Sequence, residues 1–224
     1  MLTRRTALIA MSAALGARFL PSAQAQAQAQ AQAKPASLVI LGDSITAGFG
    51  LPRAQAYPAV LEALLRKQRL DVRLVNAGVS GDTLSGGLAR LDWSVPKTAN
   101  GVLIALGGND MLSATDPAIS RAALDKILGK LRDRGQRAAI LGMRAGANWG
   151  SDYAKRFDAI FPDLARQYKL PLYPFLLEGV ALDAKLNQGD GIHPNAAGAK
   201  LIAERLAPFV TKAFGLSPSA AGPV

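Results

Sequence analysis

The chain has 224 residues, with 26 Lys and Arg against 16 Asp and Glu, one His and no Cys. Half of the residues are apolar and 19% are charged, which suits one globular domain with a sizeable core. The lack of Cys excludes a thiol nucleophile, a zinc–thiolate site and a disulfide framework, and a single His excludes any metal site built on two imidazoles.

A formal charge of +10 invites a nucleic-acid reading, but its distribution argues against one. No acid precedes Asp43, and Arg4, Arg5 and Arg18 fall in a removable-looking leader. Without residues 1–33 the chain keeps 23 Lys and Arg against the same 16 acids, a charge of +7. The rest are mixed with acids along helical stretches, as in Lys130-Leu131-Arg132-Asp133-Arg134, and aromatics do not interleave with them.

In the leader, Thr3-Arg4-Arg5 precedes an apolar run from Ala7 to Ala17, long enough for a signal-peptide core and too short to span a bilayer. The paired arginines suggest a twin-arginine export signal, although Ala7 stands where a phenylalanine is often found, so Sec export stays open. Ala23-Gln24-Ala25 is a small-x-small cleavage site, repeated through Ala33 by the Ala-Gln alternation. Residues 1–33 are therefore expected to be a signal and linker, 34–216 the folded domain and 217–224 a disordered tail, with a periplasmic location and no stable membrane span.

From residue 38 short apolar runs alternate with helical patterns. Leu38–Leu41 is a buried strand ending in Gly42, and residues 58–67 form a helix with Pro58 in its first turn. Val72–Val75 is the second strand, followed by Asn76-Ala77-Gly78 and a short helix around Leu84–Leu91. Gly101–Leu106 is the third strand. A helix over 118–133 places Ile119, Ala123, Ile127 and Leu131 on one face, and Gly135 closes it. Ala138–Met143 is the fourth strand, and Pro162 should bend or divide the helix over 152–168. Leu170–Tyr173 is a weak fifth strand, and residues 195–213 form the last helix, with Asn195 near its cap.

Apolar strands alternating with helices imply a three-layer α/β/α sandwich around a five-stranded parallel sheet of the flavodoxin-like kind. Ligands bind such sheets beyond the carboxyl ends of the strands. Those ends carry Gly42-Asp43-Ser44, Gly78-Val79-Ser80-Gly81-Asp82, Gly107-Gly108-Asn109-Asp110, Arg144 to Asn148, and Asp190-Gly191-Ile192-His193. Ser44 needs a base to act as a nucleophile, and the only imidazole is His193. Asp190, three residues before it, can hold the ring in the right tautomer. Oxyanion donors are sought in the Ser44 amide, the Gly81 amide and the Asn109 side chain. Asp43, Asp82 and Asp110 read as loop-bracing or capping residues.

These blocks, in this order, resemble those of the GDSL or SGNH hydrolase superfamily, and within it the exported bacterial multifunctional esterases with arylesterase, acyl-CoA thioesterase and lysophospholipase activity. The likeness runs from about Ser37 to Phe214 and includes Asn76-Ala77, Gly87-Leu88-Ala89-Arg90-Leu91 and Phe157-Asp158-Ala159-Ile160. It implies the SGNH hydrolase fold, with Ser44 as nucleophile, Asp190 and His193 completing the triad, and Ser44, Gly81 and Asn109 as oxyanion donors. No metal or organic cofactor is implied. It also points to Met111, Leu112, Asn148 and Trp149 as substrate-binding residues, in two loops that depart from the usual pattern. The expected partner is a small-molecule ester or lipid. A glycan O-acetyl esterase or an acyltransferase would share the triad.

Overall fold

A computed structural model of the chain describes residues 35–218; the expected export signal and the end of the expected tail lie outside these. The strands are β1 (Ala36–Gly42), β2 (Val72–Gly78), β3 (Gly101–Ala105), β4 (Arg137–Leu141) and β5 (Leu172–Tyr173). They pair in parallel in the order β2-β1-β3-β4-β5. The chain thus winds one way from β1 to β2 and the other way from β3 onward. The reversal opens a crevice between the carboxyl ends of β1 and β3, where this class of sheet binds ligands.

Among the described residues there are eight α-helices: α1 (Ser44–Ala47), α2 (Tyr57–Lys67), α3 (Leu84–Ser94), α4 (Gly108–Leu112), α5 (Pro117–Asp133), α6 (Ser151–Asp158), α7 (Ile160–Tyr168) and α8 (Ala196–Phe214). One layer pairs α2 with α8, and the other packs α5 against α3, α6 and α7. β1 and β3 lie between the layers, so Leu38–Leu41 and Val102–Ala105 are buried without alternation. β2 is an edge strand, and there Val72 and Leu74 are buried while Arg73 is exposed.

Several expectations are refined. β2 runs on through Gly78, which pairs level with Gly42 of β1, while β3 stops at Ala105 and β4 at Leu141. The helix over 152–168 divides at Ala159. Pro162 has no N–H to offer the carbonyl four residues back, so the hydrogen-bond ladder breaks there. Ile119 is corrected: it is 55% exposed, and Ser120, Ala123, Leu124, Ile127, Leu128 and Leu131 form the buried stripe of α5. Ile119 sits one residue to the outside of that stripe, in the first turn. Asn195 does cap α8, accepting from the Ala197 and Gly198 N–H groups. Pro218, in the expected tail, forms an antiparallel bridge with Leu70.

Candidate active site

Ser44 is the first residue of α1, directly beyond β1. Asp43 caps this helix by accepting the Ile45 N–H at 3.0 Å, and the turn presents Ser44 at the crevice with only 8% of its surface exposed. His193 arrives from the far end of the chain, in the loop between β5 and α8. Its Nε2 lies 2.8 Å from Ser44 Oγ, and its Nδ1 lies 2.7 Å from Asp190 Oδ2.

The short spacing of Asp190 and His193 explains how the pair forms. The loop turns back so that Asp190 Oδ1 accepts the N–H groups of Ile192 at 2.9 Å and His193 at 3.0 Å. These bonds and the one from the imidazole hold the Asp190 carboxyl low, at about 2. Asp190 is therefore ionised near neutrality and can only accept, so Nδ1 carries the hydrogen and Nε2 is left to accept the Ser44 hydroxyl proton. Gln188 donates to the carbonyls of Phe49 at 2.7 Å and Pro194 at 3.0 Å, joining the two loops around the imidazole. The Phe49 ring lies against the imidazole with centroids 4.5 Å apart.

Of the expected oxyanion donors, Ser44 and Asn109 both line one cleft. Asn109 sits in α4, beyond β3, and its Nδ2 donates one hydrogen to the Asp82 carbonyl at 2.8 Å, leaving the second hydrogen free to point elsewhere. That anchoring bond was not foreseen from the sequence. Among the described residues, the Ser44 and Gly81 backbone N–H groups have no protein acceptor. Gly81, at φ +80°, belongs to the loop that holds Asn109 but is not part of the cleft wall.

The three neighbouring acids brace this layer. Asp110 accepts the Leu84 N–H and the Ser120 hydroxyl, both at 2.8 Å, tying α4 to α3 and α5. Asp82 pairs with Arg90 at 2.6 Å. Asp43 is 1% exposed, and burial raises its carboxyl to about 6, against the opposing pull of the backbone hydrogen bond from Ile45.

Beyond Ser44 the cleft opens to about 490 Å³. Met111, Leu112, Asn148 and Trp149, expected from sequence, all line it. Trp149 begins an aromatic row that continues through Tyr153 and Phe157 into the core, with successive centroids 5.9 Å apart. Tyr153 is packing in this row, its hydroxyl donating to the Thr115 carbonyl at 3.1 Å. Sequence reading missed the opposite wall, formed by Phe175, Leu177, Leu182 and Ile192. These residues sit in the long β5–α8 connection, where no periodicity marks a buried face. At the mouth, Arg144 stacks over Phe175, with its carbon 5.6 Å from the ring centre.

A doubly wound parallel sheet with a serine, an imidazole and a carboxylate in hydrogen-bonding series at its switch point is the construction of a serine hydrolase on an α/β fold. The chain matches the GDSL-like Lipase/Acylhydrolase family over residues 40–201 and belongs to that family. It is similar to Esterase TesA of Pseudomonas aeruginosa, 38% identical over 173 residues covering 77% of this chain and 86% of the relative. It is also similar to Thioesterase 1/protease 1/lysophospholipase L1 of Escherichia coli strain K12, 38% identical over 76% of this chain and 81% of that protein. Among solved structures it resembles AlinE4, an SGNH-hydrolase family esterase, at a TM-score of 0.68 and 39% identity, covering 81% of this chain and 98% of the other. The protein is accordingly a serine hydrolase of the SGNH kind that cleaves carboxylic esters. Among the described residues, no helix is long and apolar enough to cross a membrane.

Proposed function

We propose that Ser44 is the nucleophile of a two-step ester hydrolysis, with His193 as its base and Asp190 holding the imidazole. The observation that carries this reading is the unbroken series Asp190–His193–Ser44, with separations of 2.7 and 2.8 Å, at the floor of an open cleft. Ser44 attacks the ester carbonyl as His193 takes its proton, and the tetrahedral oxyanion is met by the Ser44 and Gly81 amides and the free hydrogen of Asn109 Nδ2. Collapse expels the alcohol, which receives the proton from His193. Water, deprotonated by the same imidazole, then releases the acid from Ser44.

The acyl chain lies between Met111, Leu112 and Trp149 on one side and Leu177, Leu182 and Ile192 on the other. Walls of this character favour an aliphatic or aryl acyl group over a glycan, which would need a polar groove. Aryl and alkyl esters are thus the working substrates, with lysophospholipids and acyl thioesters as further candidates suggested by the relatives' names. Residues 1–33 direct export to the periplasm, where esters and lysophospholipids are met more often than coenzyme A thioesters.

The reading is tested on the mature protein with nitrophenyl esters of increasing chain length, an acyl thioester and a lysophospholipid. It predicts kcat/KM rising from acetyl toward longer chains and favouring esters over the thioester. A preference for acetyl groups on glycans would contradict it.

A further inference from the structure

Arg90, in α3, is a cationic side chain with only 6% of its surface exposed, and four of its five N–H donors are used. Nε donates to Asp82 Oδ2 at 2.6 Å, and Nη2 to the Gly42 carbonyl at 2.8 Å. Nη1 donates to the Ala77 carbonyl at 2.9 Å and to Ser94 Oγ at 3.0 Å. Gly42 ends β1 and Ala77 is next to last in β2, so the guanidinium is fixed to two strand ends at once. Asp82 in turn passes that fixation on, because its own carbonyl holds Asn109 Nδ2 at 2.8 Å.

The first turn of α3 is shaped around the same carboxylate. A Cβ on Gly86 would lie 1.9 Å from Asp82 Oδ1, and one on Gly87 would lie 2.3 Å from Leu106 and 3.8 Å from Asp82 Oδ2. Glycine weakens a helix more than any residue except proline, yet two stand in succession here, Gly86 leaving room for the Asp82 carboxylate and Gly87 for Leu106. Stability alone is a weak reason for this construction, since a buried ion pair is seldom better than apolar side chains of equal volume.

We propose that Arg90 is a positioning residue for ester hydrolysis: anchored to the ends of β1 and β2, it holds Asp82 so that the Asp82 carbonyl aims the Asn109 amide at the oxyanion. The inference rests on the reading of Asn109 as an oxyanion donor. Lysine cannot replace Arg90, because its single ammonium lacks the planar fork that reaches Asp82, Gly42 and Ala77 together.

The test combines Arg90→Lys and Asp82→Asn, each alone and with Asn109→Ala, measuring kcat, KM and unfolding temperature with a short nitrophenyl ester. With Asn109 present, Arg90→Lys lowers kcat by roughly 10- to 100-fold, within what an oxyanion donor contributes, and leaves KM within about twofold. With Asn109 already removed, the same substitution lowers kcat by less than about threefold, while the drop in unfolding temperature is the same in both backgrounds. Asp82→Asn keeps the backbone carbonyl and the side-chain volume, and carries the same test if Arg90→Lys does not fold. Equal kcat losses in both backgrounds, or a change confined to KM, overturn the positioning role. If Asn109→Ala lowers kcat but neither Arg90→Lys nor Asp82→Asn does, this inference alone falls. If Asn109→Ala leaves kcat untouched, the oxyanion reading falls and takes the inference with it.

Discussion

The two sides of the cleft are built in different ways. On the side of β1, β2 and β3, the loops are short and almost every polar group has a named partner: Asp43 on Ile45, Asp82 on Arg90, Asn109 on Asp82, and Asp110 on Leu84 and Ser120. On the side of the β5–α8 connection, Leu182 and Ile192 line the cleft with 93% and 44% of their surfaces exposed. Leu182 also has a left-handed backbone, at φ +66°. Reacting groups must be held to a fraction of an ångström, whereas an acyl chain needs only apolar contact. The side of β1, β2 and β3 therefore holds the proposed nucleophile and oxyanion donors, while the β5–α8 connection brings in Asp190 and His193, pinned by their own hydrogen bonds, and around Leu182 a looser wall suited to the choice of substrate.

Substitutions on the two sides should differ in kind. The largest effect is expected at the nucleophile: Ser44→Ala lowers kcat by at least about 10,000-fold with little change in unfolding temperature. A variant that kept more than about one hundredth of the wild-type rate would break the division at its first step. Asn109→Ala comes next, with kcat down by about 100- to 1,000-fold and KM nearly constant, as for loss of one oxyanion donor. Stopped-flow measurement of the acylation burst separates that loss from slower product release.

Asp43 sharpens the comparison through pH. Its carboxyl rises from 3.8 to about 6 because burial penalises the charged form. The folded protein therefore holds this proton more tightly than the unfolded chain. Its contribution to stability is full below about pH 4, is lost as pH climbs to about 6, and does not return above. Asp43→Asn, which can still accept from the Ile45 N–H, should remove that slope, a relative gain on the order of 3 kcal/mol at pH 7 over pH 4. Thermal melts of both proteins across this range check it, and parallel profiles would contradict it. Asp190, at about 2, keeps its charge throughout this range, so loss of the Asp190 carboxylate contributes no limb to the kcat/KM profile there.

The smallest effect is expected on the far wall. Leu182→Gly removes an apolar contact and relieves the left-handed strain, so it should stabilise the fold by about 1 kcal/mol. The same change should lower kcat/KM for long-chain esters by a few-fold, with short esters unaffected, as the loss of one apolar wall contact implies. Equal losses for acetyl and long-chain esters would show that this wall also serves the chemistry.

The same contrast decided what could be read from the sequence. Ser44, Gly81, Asn109, Asp190 and His193 stood out because strand-end glycines and polar clusters interrupt apolar runs, and because one His leaves one base. The sheet was legible for the same reason, its buried strands being unbroken apolar runs. Phe175, Leu177, Leu182 and Ile192 were not, since a loop wall has neither a period of 2 nor one of 3.6. Ile119 was misassigned because helical spacing fixes a face only to within about one residue, and the neighbouring helices decide which stripe is covered. Arg90 carried no signal of its own: a basic residue on a helix is ordinarily solvated, and only the fold brings Asp82, Gly42 and Ala77 around it.

The central claim is that one serine, activated by the solitary imidazole, carries the acyl group. Inactivation of the mature enzyme with a fluorophosphonate, followed by mass spectrometry of its peptides, tests this most directly. The account predicts one adduct per chain, on the peptide containing Ser44, formed in step with loss of esterase activity. Full inactivation with Ser44 unmodified, or modification of Ser44 with activity retained, would contradict it.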